Sequence, residues 1–194
     1  MNCYSCKTNI NSSYIKWLLE ILGPVLMGSK PCEILSIPSF DKNKDNKIND
    51  IKNHFKLCKK INYIIIDKKE KGLKLLFINK DSLSTQLNNK KIHNFLKYLG
   101  YPSNLDTDLY LNHLINKLEG DDFPDEIGIF LGYPLKDVVG FMGYGSYKFH
   151  NTKYWRVYGD PKPSEDLYSK FLSHREKLRD MLKSQSVKYI LSSL

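Results

Sequence analysis

The residues best suited to ligand chemistry lie around a glycine-rich turn in the second half of the chain. In DEIGIFLGYPLKDVVGF (125–141), an apolar segment ends at Gly132, Tyr133 and Pro134, and a short helix with Lys136 in its first turn is predicted to follow. Turns between a strand and a helix expose backbone N–H groups, and the helix dipole favours anions there. The turn therefore predicts a site for a small anionic or flat ligand.

An aromatic segment, YWRVYGD (154–160), supplies the other candidate groups. Arg156 and Tyr158 fall on one face of a predicted strand, so they offer a guanidinium fork and a phenol to the same site. The structural alternative is that the glycines permit close helix packing and that Arg156 pairs with the acidic residues of 119–126. The complete set of candidate ligand-binding residues is Lys30, Gly132, Tyr133, Lys136, Asp137, Arg156, Tyr158 and Asp160.

Two cysteines near the start of the chain are the candidates for metal or redox chemistry. Cys3 and Cys6 form a C-x-x-C pair, which in an intracellular protein indicates half of a metal site or a redox couple. A zinc site needs four ligands, usually in two pairs, and the sequence has no second C-x-x-C and no H-x-x-x-H. Chance occurrence in a frayed terminus is the alternative.

The sequence contains none of the common motifs that identify a catalytic reaction. It has no G-x-S-x-G nucleophile turn, no G-x-x-x-x-G-K-[ST] phosphate loop and no H-E-x-x-H zinc motif. The sequence therefore leaves open whether the protein is an enzyme, and the cofactor is unknown.

The charge of the chain is unevenly distributed. The formal net charge is +9; residues 1–100 hold 18 Lys+Arg against 8 Asp+Glu, and residues 101–194 hold 12 against 13. A one-sided basic surface attracts polyanions, and the aromatic and basic residues of 147–156 suit stacking on single-stranded nucleic acid. A coding bias towards Lys, Asn and Ile is the alternative, so nucleic acid is a less favoured partner than a small anionic ligand.

The segment that leads into the turn is predicted to be a central strand. In 127–133, neither alternating face carries a charge, which is typical of a strand covered on both sides. Leu135, Val138, Val139 and Met142 then recur at helical spacing, and Gly143 can end the helix. We expect this helix to pack over the strand.

The other elements follow from periodicity and turn residues. Strands are predicted at 33–38, 63–67, 73–79 and 154–158, and KKEKG before residue 73 indicates a hairpin. Helices are predicted before Gly23, around residues 51–58, 92–99 and 106–119, and after Ser164. The last of these helices is expected to bury Leu167, Phe171, Leu178 and Leu182 and to expose Arg175, Lys177 and Arg179.

Together these elements predict one α/β (or α+β) domain over residues 13–194, with a mixed sheet of about five strands flanked by five to six helices. Residues 1–12 are expected to be a flexible N-terminal segment. No apolar run approaches the roughly 20 residues of a membrane span, and the N-terminus does not resemble a secretory signal. We therefore expect a cytoplasmic protein without a membrane partner, and the oligomeric state is not predicted.

Three segments resemble a known family. GPVLMGSKPCEIL (23–35), DEIGIFLGYPLKDVVGF (125–141) and YWRVYGD (154–160) look like the signature segments of domain of unknown function 3793 (DUF3793), a family of clostridia and related Firmicutes. The resemblance spans most of the chain beyond the first dozen residues. It implies no defined activity, but it implies a link to redox or iron homeostasis. Similar proteins tend to have a Cys before Pro24, where this chain has Leu22, which puts a shared thiol chemistry in doubt.

Three functional hypotheses remain. The first is a module that binds a small anionic ligand or flat cofactor through the glycine-rich turn and the aromatic strand. The second is a redox or metal-dependent enzyme that uses Cys3 and Cys6. The third is single-stranded nucleic-acid binding through residues 147–156.

Overall fold

The computed structural model describes residues 4–56 and 58–194, with side chains from residue 13 onwards. Helices in the first half are α1 (Tyr4–Ile21), α2 (Gly23–Leu26), α3 (Lys44–Phe55), α4 (Lys80–Leu87) and α5 (Lys90–Tyr98). Those in the second half are α6 (Thr107–Glu119), α7 (Ile127–Phe130), α8 (Leu135–Phe141), α9 (Lys162–Ser184) and α10 (Val187–Ser193). The strands are β1 (Cys32–Ile37), β2 (Asn62–Asp67), β3 (Leu73–Ile78), β4 (Phe149–Thr152) and β5 (Arg156–Tyr158).

An antiparallel sheet in the order β1-β3-β2 forms the middle layer of the fold. In the central strand β3, Leu75 and Phe77 point to one side and Leu76 and Ile78 to the other, and all four are buried. Successive side chains of a strand alternate between faces, so a strand that is apolar on both faces must be covered twice. Helices on each side of the sheet supply that cover.

The hydrophobic core is accordingly divided by the sheet. One cluster packs β3 against α4, α5, α6, α7 and α8, and Tyr110 and Phe130 are the largest of its fully buried members. The other packs β3 against α1, α2, α3, α9 and α10. The elements before β1 and after β5 thus share a single core.

The turn between β2 and β3 requires glycine. Gly72 has φ +98, and a Cβ at that position would lie 2.2 Å from the carbonyl oxygen of Ile37. Only glycine combines this backbone conformation with so close an approach. The hairpin predicted from KKEKG is confirmed.

A small second sheet stands over a third apolar cluster. β4 and β5 pair antiparallel, and Trp155 and Val157 pack inward against Phe171 of α9. The alternation predicted for this segment is confirmed, because Arg156 between them is exposed and Tyr158 is only half-buried. This hairpin forms one wall of the site described below.

The prediction of a central strand at 127–133 is wrong. Residues 127–130 form the helical turn α7, in which the N–H of Leu131 donates to the carbonyl of Ile127 at 2.9 Å. Ile129 and Phe130 are fully buried, so the segment is interior as expected. A short apolar run has the same composition in a buried helix as in a buried strand, and periodicity does not separate the two.

The α+β class and the number of about five strands are confirmed. The strands belong to two antiparallel sheets instead of one mixed sheet, because the segment expected to lie in the middle is helical. Helices outnumber the prediction because short helical turns such as α2 and α7 cannot be recognised from periodicity. Among the described residues, no helix combines the length and the apolar character that crossing a membrane requires.

Candidate ligand-binding site

Asp137 joins the three elements that frame the site. Its carboxylate is buried in α8, where Oδ2 accepts hydrogen bonds from Trp155 Nε1 at 2.7 Å and Ser164 Oγ at 2.6 Å. Oδ1 accepts from the backbone N–H of Tyr158 at 2.8 Å and from Lys136 Nζ at 2.7 Å. Four donors from α8, β5 and α9 therefore converge on one carboxylate, which fixes these elements relative to one another.

Lys136 completes the same network. Its Nζ donates to Asp137 Oδ1, to the carbonyl of Tyr158 at 2.8 Å and to Ser164 Oγ at 2.8 Å. An ammonium group has three N–H bonds, and all three are directed at protein oxygens. Lys136 therefore positions β5 and α9 in this structure and offers no remaining N–H to a ligand.

Beside this network lies a cavity of about 280 Å³, which we call the aromatic cavity. The ring of Tyr133 stacks on Trp155, with centroids 4.4 Å apart and an interplanar angle of 17°. The guanidinium of Arg156 lies 5.6 Å from the ring centre of Phe141. The lining residues are Asp125, Ile127, Gly128, Tyr133, Asp137, Val138, Phe141, Thr152, Tyr154, Trp155 and Arg156.

Arg156 is the available cation of the aromatic cavity. Its side chain is exposed, and it forms no ion pair with any residue the structure describes. Asp125 also lines the cavity but lies beyond ion-pair distance of Arg156. The predicted pairing of Arg156 with the acidic segment is thus not formed, and the planar guanidinium is open to a ligand.

A second cavity of about 210 Å³, which we call the charged cavity, adjoins the first. Tyr133 and Tyr154 belong to the walls of both. The lining residues of the charged cavity are Ile21, Pro24, Lys30, Glu33, Leu35, Tyr133, Tyr154, Phe171 and Arg175.

Lys30 is a buried cation in the wall of the charged cavity. The residue is 5% exposed, and its Nζ donates to Glu33 Oε2 at 2.7 Å. Nζ also lies 5.5 Å from the ring centre of Tyr133 and 5.6 Å from that of Phe171. Burial, with the negative charge of Glu33, raises the pKa of Tyr133, so this phenol stays neutral at physiological pH.

Arg175 supplies the second cation of the charged cavity. Its Nη1 donates to the hydroxyl of Tyr154, and its Nη2 lies 3.9 Å from Glu20 Oε1. Glu20 is bound more closely by Arg179, at 2.6 Å, and this hydrogen bond lowers the pKa of Glu20. The Nε of Arg175 is buried and has no hydrogen-bond partner among the described groups.

Three other candidates lie outside both cavities. Gly132 has φ +80, and a Cβ there would lie 2.6 Å from Pro31 Cδ, so its role in this structure is to turn the chain. The ring of Tyr158 packs against Phe149, with centroids 5.7 Å apart. Asp160 is exposed and accepts a hydrogen bond from the backbone N–H at the start of α9.

The structure brings together Lys30, Tyr133, Asp137 and Arg156, half of the predicted set. Cys3 lies outside the described residues, as does the side chain of Cys6. Across the part of the chain that is described, no group of three or more His, Cys, Asp or Glu residues is arranged to hold a metal ion.

Several site residues escaped the sequence analysis. Phe171 and Arg175 lie one helical turn apart in α9, and both face the charged cavity. Arg175 was expected on the exposed face with Arg179, but only 23% of its side chain is exposed. The spacing of Arg175 four residues after a buried Phe was the available signal. The sequence gives no comparable signal for Glu33, Tyr154 or Phe141.

The three segments that suggested a family resemblance meet at the two cavities. Residues 23–35 contribute Lys30 and Glu33, residues 125–141 contribute the wall around Tyr133, and residues 154–160 contribute Trp155 and Arg156. α9 adds the fourth side.

Comparison with known proteins gives one match. A family model described as "Protein of unknown function (DUF3793)" matches residues 18–191. No curated protein and no solved structure matches the chain. The matched region contains every residue of both cavities.

Proposed function

The chain belongs to the DUF3793 family, and from that premise we propose that it is a binding module for a small flat ligand, which the aromatic cavity holds. The observation that carries the proposal is the stack of Tyr133 on Trp155 beside an apolar cavity, together with a guanidinium that has no ion-pair partner among the described residues. Aromatic rings and a stacked arginine bind flat rings through offset stacking and cation–π contact.

The size of the aromatic cavity limits the ligand. Cavities that bind drug-sized molecules have volumes of roughly 300–1,000 Å³. At about 280 Å³, this cavity suits a group of one or two fused rings and is too small to enclose haem. We therefore expect a ring system the size of a nucleobase or a bicyclic aromatic compound.

Rigid walls support the same proposal. Asp137 and Lys136 hold β5 and α9 in place, so Trp155 is fixed before any ligand arrives. A site that is already ordered loses less conformational entropy on binding. The hydrogen bonds of Asp137 and Lys136 therefore preorganise the aromatic cavity.

Trp155 provides the direct test. Trp17, half-exposed on α1, is replaced by Phe so that Trp155 is the remaining tryptophan. Quenching of its fluorescence and the melting temperature are then measured with adenine, naphthalene derivatives, flavin mononucleotide and haem. We expect saturable quenching and a higher melting temperature with the one- and two-ring compounds, and no rise in melting temperature with the larger flavin mononucleotide and haem.

Two matched variants locate the binding. Arg156→Gln removes the guanidinium beside Phe141, and Lys148→Gln removes the same charge from an exposed position next to β4. We expect weaker binding of every flat ligand with the first variant and unchanged binding with the second. Absence of binding by any compound in the wild-type background, or equal effects of the two variants, would disprove the proposal.

A further inference from the structure

We propose that the charged cavity is a carboxylate-binding subsite, so that the ligand is a flat ring bearing one carboxylate group. This inference rests on the proposed function, because the ring must occupy the aromatic cavity. Both cavities share Tyr133 and Tyr154, so a ring in the first places a short acidic side chain at the second.

Unsatisfied donors in the charged cavity are the first argument. Lys30 is 5% exposed. Among the described residues, its three N–H bonds have one acceptor, Oε2 of Glu33. The buried Nε of Arg175 has no acceptor either, within the same part of the chain. Buried donors without partners are costly, and the cost is greatest for charged groups. An anion bound in the charged cavity would give the N–H bonds of Lys30 a second acceptor and would lie beside the guanidinium of Arg175.

The charge balance indicates a singly charged group. Lys30 and Arg175 bring two positive charges, and Glu33 brings one negative charge that already faces Lys30. Glu20 is engaged by Arg179 and lies 3.9 Å from Arg175. The cavity therefore has room for one further negative charge, whereas a phosphate dianion would be repelled by Glu33. Carboxylate is the singly charged group that an arginine and a lysine bind with good geometry.

Distances support a short link between ring and acid. The ring centre of Tyr133 lies 4.4 Å from that of Trp155 and 5.5 Å from Lys30 Nζ. One aromatic side chain thus contacts both the ring-binding surface and the buried cation. We therefore expect the acid to be joined to the ring by a short link.

The alternative is that Lys30 and Glu33 form an ion pair that serves only to stabilise the fold. In that case the charged cavity would not distinguish an acid from an uncharged group of the same shape. Arg175 is the residue to vary, because removing Lys30 would leave the half-buried Glu33 unpaired.

The test is calorimetric titration of the full chain with 2-naphthylacetate, its uncharged analogue 2-naphthylacetamide, and 2-naphthyl phosphate. We expect the carboxylate to bind at least tenfold more tightly than the amide and more tightly than the phosphate. This preference should be lost in Arg175→Gln and kept in Lys177→Gln, which removes the same charge from the exposed face of α9. Arg175→Lys keeps the charge but lacks the planar guanidinium, so it should lose most of the preference even if Arg175→Gln does not fold.

The outcomes separate this inference from the function on which it rests. Equal affinities for acid and amide in the wild type would overturn the carboxylate subsite and leave the aromatic cavity supported. Tighter binding of the phosphate would overturn the assignment of a single charge. Arg156→Gln should weaken acid and amide alike, and binding of neither compound to the wild type would overturn both proposals.

Discussion

At the scale of single residues, Asp137 is the polar group on which most of the site geometry depends. It is 1% exposed and accepts four hydrogen bonds, including one from the indole of Trp155. A carboxylate can accept at every one of these positions because it carries no hydrogen, whereas an amide of the same shape presents a donor on one side.

Asp137→Asn should therefore destabilise the protein strongly. At least two N–H or O–H donors would face the new amide group, and we expect a loss of about 3 kcal/mol in the free energy of unfolding. Chemical denaturation measures this loss. Asp160→Asn is the control, because Asp160 is exposed and accepts only one local hydrogen bond. Similar stabilities for the two variants would contradict the network.

Two partly buried histidines give the protein a predicted sensitivity to acid. Burial, followed by the charges of Lys170 and Lys177, lowers the pKa of His174 below its ordinary value of 6.5. Burial and Lys117 lower the pKa of His113 in the same way, against an opposing effect of Glu126. The unfolded chain thus binds protons more readily than the folded one.

The sign of the effect follows from these directions. The contribution of these two histidines to the free energy of unfolding is fully present above pH 6.5. It is lost as the pH falls from 6.5 through the lowered pKa values, because protonation then favours the unfolded chain. His174→Gln and His113→Gln should each flatten the curve of unfolding free energy against pH in this window. His150→Gln, at an exposed position on β4, should leave it unchanged. An unaltered curve in the first two variants would refute the prediction.

The sequence identifies half of the candidate site and misjudges the roles of several residues. Tyr133 and Arg156 were predicted from their positions beside the turn and on the strand, and both line the aromatic cavity. Lys136 was predicted to meet a ligand, but its N–H bonds are taken by residues up to 28 positions away. Such long-range partners are set by the packing of β5 and α9, which local spacing does not encode.

At the scale of elements, the crossing of α2 and α9 brings two backbones into contact. A Cβ on Gly23 would lie 2.7 Å from the carbonyl oxygen of His174 and 3.1 Å from the Cα of Arg175. The neighbouring atoms belong to the backbone of a long helix, so they cannot move without shifting it. The same crossing holds Arg175 against the charged cavity.

Gly23→Ala should destabilise the protein, although alanine is normally the better residue in a helix. Overpacking of this kind costs typically 1–3 kcal/mol, and we expect a loss of about 2 kcal/mol by thermal or chemical denaturation. Gly120→Ala is the control, since the nearest contact of its Cβ would be the carbonyl oxygen of Lys117 at the longer distance of 3.2 Å. An equal or larger loss in the control would show that the crossing is not unusually close.

Elements with a strong pattern were predictable, and short buried ones were not. The β2–β3 hairpin and α6 follow the expected boundaries within about one residue, since a turn residue or cap marks each end. α7 was predicted as a strand because its four residues are too few for helical periodicity to appear. In the structure α7 contacts α4 and α8, and such contacts are not readable from four residues of sequence.

At the scale of the whole molecule, the sheet carries a hydrophobic core on each face, and the second core joins both ends of the described chain. Ile15 of α1, Leu178 of α9 and Ile190 of α10 are all at most 1% exposed in this cluster. The elements nearest the C-terminus therefore stabilise the same sheet as those nearest the N-terminus. We expect the protein to unfold in a single transition.

Ile190→Ala tests this coupling. Truncation of a fully buried Ile costs about 2–5 kcal/mol, and the melting temperature should fall accordingly. In the Trp17→Phe background, Trp155 fluorescence and far-UV circular dichroism should report the same lowered temperature. Tyr189→Ala, which truncates an exposed neighbour, should have little effect. If the Trp155 transition stayed at the wild-type temperature, the site and the second core would be independent units.

The order in which the site is assembled follows from the position of α9. The aromatic cavity is lined by residues from 125–156, whereas the charged cavity also needs residues from 21–35 and Phe171 and Arg175 of α9. A ribosome adds about 5–20 residues per second, so the nascent chain lacks Phe171 and Arg175, and with them the proposed carboxylate subsite, until α9 emerges. The aromatic cavity, whose lining ends at Arg156, would be complete before that subsite.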